Sequence, residues 1–201
     1  MNSEIYKTCQ ERFATHKATL IQNTDRYLAI DWRKNNGSGD YYVNYILDKK
    51  RGSLIISGDL GDCIATWYNK LDAEKVKSFV NDVPYFMGKF QCASDDYTYD
   101  GGDVIADIRE YFENFNIDTT DVSSIEFGIY DMDDFWQAVE EEVSESTCRS
   151  GVFAPTNRLI KIIEHVDCDC YEWLYNCGQR IHQRVYLWAV GFQMACDQLG
   201  L

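Results

Sequence analysis

The sequence lacks the motifs by which common catalytic centres are recognised. It has no G-x-S-x-G nucleophile motif, no G-x-x-x-x-G-K-[ST] phosphate loop, no G-x-G-x-x-G and no H-E-x-x-H. Histidine is scarce as well, with only His16, His165 and His182. Carboxylates are so numerous that any chosen pair says nothing about glycoside hydrolysis. We therefore expect no enzymatic activity and no cofactor.

Long apolar runs are also absent. No run of about 18 apolar residues is available to span a membrane. The first four residues, Met1 to Glu4, do not begin a basic region followed by an apolar run, as a secretory signal would. The chain is therefore expected to be cytoplasmic and to have no membrane partner. Its eight cysteines are expected to be free and mostly buried thiols.

Basic residues are nearly missing from residues 95–145, which we name the acidic stretch. Arg109 stands there against seventeen acidic residues, a formal charge of −16, while the other 150 residues have a balance of +2. The acids are Asp95, Asp96, Asp100, Asp103, Asp107, Glu110, Glu113, Asp118, Asp121, Glu126, Asp131, Asp133, Asp134, Glu140, Glu141, Glu142 and Glu145. Such a field repels a phosphate backbone at long range and favours basic proteins or cations as partners.

Alternating apolar and polar residues predict an antiparallel sheet in the first third of the chain. Residues 26–32, 41–48 and 53–57 are typical of strands, with a fourth short strand at 63–67. Short turns between successive strands predict a three- to four-stranded meander over about 26–67. A meander of this size must pack on helices to bury enough apolar surface, so the predicted fold class is α+β.

Apolar residues at helical spacing predict the surrounding helices. The first helix is expected over 3–20, and Asp72 is expected to cap another. Asp103 should cap the first helix of the acidic stretch, and Asp131 or Asp133 the second, with a candidate strand at 124–130 between them. A polar break near 144–151 is the best internal boundary, before a helical pair whose long last helix runs from about 170 to about 199. With no repeat or linker, one domain over 1–201 is predicted.

Helix dipoles explain only some of the acids. A carboxylate in the first turn of a helix gains roughly 0.3–1 kcal/mol, but Glu110, Glu113 and the glutamates after Val139 lie late in their helices, where the dipole disfavours anions. Their excess therefore favours a protein-binding role over solubility alone. The predicted contact residues are Asp95, Asp96, Tyr97, Tyr99, Asp100, Asp107, Glu110, Glu113, Asp133, Asp134, Glu140, Glu141, Glu142 and Glu145.

Two metal-binding patterns are weaker alternatives. Residues 96–107 partly imitate an EF-hand loop, but Asp103 takes the eighth position, where an apolar residue is expected, and Asp107 replaces the final Glu. Cys168, Cys170 and Cys177 lack the paired C-x₂-C spacing of zinc sites. No metal is therefore predicted, although the cysteine cluster leaves the question open.

High acidity, many aromatic residues, an α+β body and no catalytic motif give a profile that resembles phage-borne inhibitors of bacterial defence systems. Anti-CRISPR proteins and DNA-mimicking antirestriction proteins are the groups concerned. The resemblance is one of type over the whole chain, rests on no motif and transfers no functional residue. It implies a non-enzymatic inhibitor in the bacterial host cytosol. Its partner would be a basic nucleic-acid-binding protein or ribonucleoprotein effector, without direct contact to nucleic acid.

Two alternatives remain beside this hypothesis. The first is a structural or self-associating interaction module, such as a homo-oligomer, whose acidity serves solubility. The second is a hydrolase whose site carries no recognised motif.

Overall fold

The computed structural model describes residues 3–117, 122–149 and 152–201, and within it the chain divides into two compact units. Unit 1 comprises Met1–Asp96 and His182–Leu201, and unit 2 comprises Tyr97–Ile181. The boundary expected near 144–151 lies inside unit 2. That residues 1–201 form a single domain stays a prediction. Asp118 and Asp121 of the acidic stretch lie outside the described residues.

The elements are numbered in chain order. The helices are α1 (Ser3–Arg12), α2 (Ala73–Val80), α3 (Val83–Met87), α4 (Gly101–Phe115), α5 (Met132–Glu145), α6 (Asn157–Val166) and α7 (Gln183–Leu199). The strands are β1 (His16–Asn23), β2 (Tyr27–Lys34), β3 (Val43–Asp48), β4 (Ser53–Gly58), β5 (Cys63–Thr66), β6 (Phe90–Ala93), β7 (Tyr97–Tyr99), β8 (Thr147–Arg149), β9 (Val152–Ala154) and β10 (Gln179–Ile181). Two 3₁₀ turns, Cys170–Glu172 and Leu174–Asn176, precede β10.

Unit 1 is built on a six-stranded antiparallel sheet in the order β1-β2-β3-β4-β5-β6. The prediction of an α+β fold with an antiparallel meander is confirmed, and the four predicted strands correspond to β2, β3, β4 and β5. The sheet is larger than predicted because β1 and β6 add a strand at each edge. Buried and less buried residues alternate along β2, β3 and β4, as a sheet covered on one face requires.

Helix α7 is the core helix of unit 1. Ten of its residues are buried, and it packs against α1, α2, α3 and the first three strands. The hydroxyl of the fully buried Tyr45 on β3 donates to the carbonyl of Trp188 at 2.9 Å and so ties the sheet to the helix. A helix that is apolar around most of its circumference belongs in a core, which α7 occupies.

The N-terminal helix predicted over 3–20 is wrong in its second half. Helix α1 ends at Arg12, the chain turns, and residues from His16 onward pair with β2 as strand β1. His16 and Ala18 are buried and Lys17 is exposed, which is the period of a strand. Cys9, Phe13 and His16 suit a helix face equally well, and the backbone partners offered by β2 decide between the two.

The long C-terminal helix predicted from about 170 is also wrong in its first half. The 3₁₀ turns and β10, which pairs with β7, occupy residues 170–181, and α7 begins only at Gln183. Gly178 adopts a φ of +73°, a left-handed conformation that interrupts a helix and that other residues rarely adopt. Arg180 therefore lies on β10, and not on the last helix with Arg184.

Unit 2 packs α4, α5 and α6 around a core of their apolar faces. Val104, Ile108, Phe135, Val139 and Leu159 are fully or almost fully buried in this core. The cap of α4 is Asp100, whose carboxylate accepts from the Gly102 N–H at 2.8 Å, so the predicted cap Asp103 is wrong by one turn. Asp131 caps α5 as predicted.

The candidate strand at 124–130 forms only an isolated bridge between Ser124 and Ile129, closed by a turn. The turn holds both residues in one tight loop, and no strand among the described residues extends the pairing.

Candidate protein-binding surface

The charge of the chain follows the division into units. Unit 1 contains fourteen acidic and fourteen basic residues and is formally neutral. Unit 2 contains nineteen acidic and five basic residues, so the whole formal charge of −14 lies there. The predicted contacts Asp95 and Asp96 belong to the neutral unit, and the other predicted contacts belong to unit 2.

Part of the acidic stretch is neutralised within unit 2 by Arg180. Both guanidinium nitrogens donate to the Asp107 carboxylate, at 2.8 and 2.7 Å, and Asp103 lies 3.3 Å from the same guanidinium. Asp107 also accepts from the Gly178 N–H at 2.7 Å. The hydrogen bonds from Arg180 lower the pKa of Asp107. Asp107 therefore holds β10 against α4 and contributes little free charge.

Glu142 is a second residue that the structure removes from the predicted contacts. It is only 9% exposed, accepts from the hydroxyl of Thr156, and lies 3.0 Å from the guanidinium of Arg158. This residue falls on the inner side of α5 because it follows Val139 by three positions and thus shares its buried face. Glu142 stabilises the contact between α5 and α6.

Glu140 pairs across the surface with the only base of the acidic stretch. Its carboxylate lies 3.2 Å from the guanidinium of Arg109, which also stacks 4.0 Å over the ring of Trp136. Both ionic side chains are about half exposed, at 44% for Arg109 and 53% for Glu140. The pair remains accessible at the surface of unit 2.

Helix α5 carries three exposed carboxylates that have no cation as a partner among the described side chains. Asp133, Glu141 and Glu145 are exposed, and they form no ion pair with the side chains of residues 3–117, 122–148 and 152–201. Glu141 and Glu145 are one helical turn apart, Asp133 lies about two turns before Glu141, and the sequence of α5 contains no basic residue. We name Asp133, Glu141 and Glu145 the acidic row.

Some of the remaining predicted contact residues are exposed, and others form hydrogen bonds or packing contacts within unit 2. Glu110 and Glu113 on α4 are exposed. Asp134 accepts from the Tyr130 N–H at 3.1 Å, and Asp100 is the cap of α4. Tyr97 and Tyr99 are half-buried on β7, where they pair with β10, and Tyr99 packs against the core.

A recess beside Trp136 is a feature that the sequence did not reveal. It has a volume of about 300 Å³ and is lined by Arg109, Phe112, Glu113, Ile117, Met132 and Trp136. Met132 and Trp136 are four residues apart on α5, as are Arg109 and Glu113 on α4. Residues at this spacing share one face of a helix, so the spacing is the sequence signal from which the recess could have been predicted. Its lining combines four apolar side chains with the charged side chains of Arg109 and Glu113.

The metal patterns resolve into structural roles. Asp100 and Asp107, which would be ligands of an EF-hand, are a helix cap and the partner of Arg180. Cys170 and Cys177 are buried, and burial raises the pKa of Cys170 to about 11 and that of Cys177 to about 12, whereas Cys168 is exposed. Among the described residues, no three His, Cys, Asp or Glu side chains are grouped to hold a metal ion.

Comparison with protein-family models, with curated proteins and with solved structures finds no match to this chain. Over the described residues, no helix has the length and apolar character needed to cross a membrane. The surface of unit 2 is therefore interpreted from its own geometry.

Proposed function

We propose that this protein is a non-enzymatic inhibitor that docks the acidic face of unit 2 on a basic surface of a nucleic-acid-processing protein. The observation that carries the proposal is the acidic row, whose three carboxylates are exposed on α5 with no ion-pair partner among the side chains that the structure describes. Like charges on one helix face repel, which costs local stability, and a basic partner would relieve that repulsion.

The spacing of the row suits a surface that binds nucleic acid. Along the axis of α5, Glu141 and Glu145 lie about 6 Å apart and Asp133 lies about 12 Å from Glu141, whereas each strand of duplex DNA has one charge per about 3.4 Å of axis. The row is thus a sparser field of the same sign. The half-exposed Trp136 and the recess beside it supply apolar contact, which charge alone cannot provide.

The first test neutralises the acidic row. The variant Asp133→Asn, Glu141→Gln, Glu145→Gln should weaken binding to the partner at least tenfold, because each exposed pair contributes roughly 0.2–1 kcal/mol and three act together. The wild type should capture a partner from a bacterial lysate at low salt and release it at high salt, since exposed charges are screened within about 8–10 Å. The affinity of the identified partner is then measured for both forms.

A variant of unit 1 with the same change in charge is the control for this test. Glu11→Gln, Asp25→Asn, Glu74→Gln removes three exposed carboxylates from the neutral unit. We expect its affinity to equal that of the wild type. Equal affinities for the acidic-row variant and the wild type would contradict the proposed function.

A second candidate function is self-association through strand β1, at one edge of the sheet. The Gln198 carboxamide covers the start of this edge, since its oxygen accepts from the Ala18 N–H at 3.0 Å and its nitrogen donates to the His16 carbonyl at 3.2 Å. From Ala18 to Asn23 the strand has no charge, and Leu20 and Ile21 are 43% and 59% exposed. An uncharged, apolar edge is a template for pairing with another strand.

The second test places a charge on this edge. If β1 pairs with its copy, Ile21→Lys should weaken dimerisation at least tenfold, because two lysines would approach each other across the two-fold axis. Sedimentation velocity at low and high salt measures the effect, and an apolar dimer should be insensitive to salt. Gln91→Lys on β6, at the opposite edge, is the control. A wild type that remains monomeric at high concentration would exclude this second function.

A further inference from the structure

Residues 124–130 form a rigid loop on the surface of unit 2, which we name the tip loop. The Ser124 N–H donates to the Ile129 carbonyl at 2.8 Å, and the Ile129 N–H donates back at 3.0 Å. The Phe127 N–H donates to the Ser124 carbonyl at 3.2 Å, and Gly128 takes the left-handed conformation that the turn requires, with a φ of +74°. With the bond from the Gly128 N–H to the Ile125 carbonyl at 3.3 Å, four backbone hydrogen bonds define the shape of these seven residues.

The tip loop is also fastened to the helices of unit 2. Arg158 on α6 donates to the Phe127 carbonyl at 3.3 Å, and the Tyr130 N–H donates to the Asp134 carboxylate at 3.1 Å. Ile129 is buried in the core at 2% exposure. The loop therefore has one orientation relative to α5 and α6, set by bonds on both of its sides.

This fastened loop presents two large apolar side chains to solvent. Ile125 is 89% exposed and Tyr130 is 72% exposed, and Ile125 has the highest value among the exposed large hydrophobic residues of the described chain. An apolar side chain on a backbone that is already held in one conformation costs less conformational entropy on binding than one on an unstructured segment, so it is a favourable anchor for an interface. Single exposed apolar residues are common, but here both lie on one preorganised loop.

The residues around the tip loop define the chemistry of a partner. Glu126, Asp131 and Asp133 are exposed beside it, and Asp133 belongs to the acidic row. The nearby cation Arg158 is already engaged by Glu142 and the Phe127 carbonyl. An apolar anchor framed by carboxylates is complementary to an apolar centre framed by Lys or Arg. A second copy of the chain would bring like charges together at this place.

We propose that the tip loop is the apolar anchor of the docking surface. Ile125 and Tyr130 contact the apolar centre of a basic partner surface, and the acids beside them contact its Lys or Arg side chains. This inference rests on the proposed function and deepens it, because it requires the partner to be amphipathic as well as basic.

The experiment uses two synthetic basic peptides of equal length and charge. Both have lysines at the same positions, and the remaining positions are Leu along one face in the first peptide and Gln in the second. The wild type should bind the Leu peptide at least tenfold more tightly. Ile125→Ser should abolish that preference and leave binding of the Gln peptide unchanged. Isothermal titration calorimetry at low salt gives the four affinities.

Two further variants separate the anchor from the charge. Phe115→Ser removes a side chain of unit 2 that is 63% exposed and lies outside the tip loop, and it should keep the Leu preference. The acidic-row variant should weaken binding of both peptides by the same factor. If the acidic-row variant binds both peptides more weakly while Ile125→Ser still prefers the Leu peptide, the proposal that the tip loop is an anchor is wrong and the proposed function stands. If the acidic-row variant binds both peptides as the wild type does, the proposed function is wrong.

Self-association gives one more outcome. A wild type that dimerises in the absence of peptide, and whose Ile125→Ser form does not, would identify a second copy as the occupant of the tip loop and overturn the inference. All variants change exposed residues, so their unfolding midpoints should lie close to that of the wild type, and the acidic-row variant should lose only the roughly 0.3–1 kcal/mol that the first-turn carboxylate of Asp133 contributes.

Discussion

Substituting Ala for Gly191 is expected to destabilise unit 1 by up to about 2 kcal/mol, although Ala is the better helix former. Gly191 lies within α7, and a Cβ atom there would press on the Tyr45 hydroxyl and lie 3.2 Å from the ring of Phe13. Both rings are almost completely buried, so neither can move away. The gain in helix propensity, about 1 kcal/mol, is smaller than the cost of overpacking, about 1–3 kcal/mol. Urea denaturation measures the difference.

A double-variant cycle isolates the contact. Tyr45→Phe removes the hydroxyl and its 2.9 Å bond to the Trp188 carbonyl, at a cost of about 1 kcal/mol. The same change also removes the atom that the added methyl group of Gly191→Ala would strike. The double variant should therefore be more stable than the sum of the two single effects by about 1 kcal/mol. Strict additivity would show that the collision with Tyr45 is not the cause.

Replacing Asp107 by Asn is expected to lower the free energy of unfolding of unit 2 by about 2 kcal/mol at neutral pH. The carboxylate accepts three hydrogen bonds, two from Arg180 and one from the Gly178 N–H. An Asn of the same shape would turn an N–H₂ group toward the guanidinium, where two donors would face each other. Arg180 is 41% exposed and stays hydrated, which limits the loss. The shift of the urea midpoint measures it.

The effect of Asp107 should depend on pH. The hydrogen bonds from Arg180 lower the pKa of Asp107 below its usual value of 3.8, so folding favours the ionised carboxylate. This contribution is present above the unfolded pKa and is lost as the pH falls through the folded pKa. The difference in free energy of unfolding between the wild type and Asp107→Asn should therefore shrink as the pH falls below about 4. Asp103→Asn, at the same arginine but 40% exposed, should cost less than about 1 kcal/mol.

The strands of the meander could be predicted because local patterns and tertiary contacts agree there. Alternation along β3 places Val43, Tyr45 and Leu47 on the buried face, and the turns before and after it are signalled by Gly and Asp. The Asp131 cap of α5 could be predicted for the same reason, since its hydrogen bond lies within three residues. Interactions over such short separations are visible in the sequence.

Two segments could not be predicted because long-range pairing overrides their periodicity. Residues 16–23 fit a helical face, but β2 supplies hydrogen-bond partners that a helix would forgo. Residues 179–181 continue an apolar helical pattern, but they pair with Tyr97, Thr98 and Tyr99, some eighty positions earlier. Such pairing depends on which segments meet in the folded chain.

In the candidate site too, features set by short-range patterns could be predicted and features set by long-range contacts could not. That Glu110, Glu113 and the acidic row face solvent followed from the apolar stripes of α4 and α5. That Glu142 is buried against Arg158, and that Asp107 is bound by Arg180 from a distant strand, did not follow from any spacing. The exposed anchor at Ile125 was also hidden, because a short apolar run between turns fits a buried strand equally well.

The sequence by itself determined the sign of the field, its confinement to one part of the chain, the meander and the outward faces of the acidic helices. Composition and short-range periodicity are sufficient for these properties, because they depend only on which side chains prefer water. The tertiary structure decided which carboxylates keep their charge free and which apolar residues stay exposed. Those outcomes depend on distances between residues far apart in the chain, since an ion pair or a buried contact exists only where folding brings its two members together.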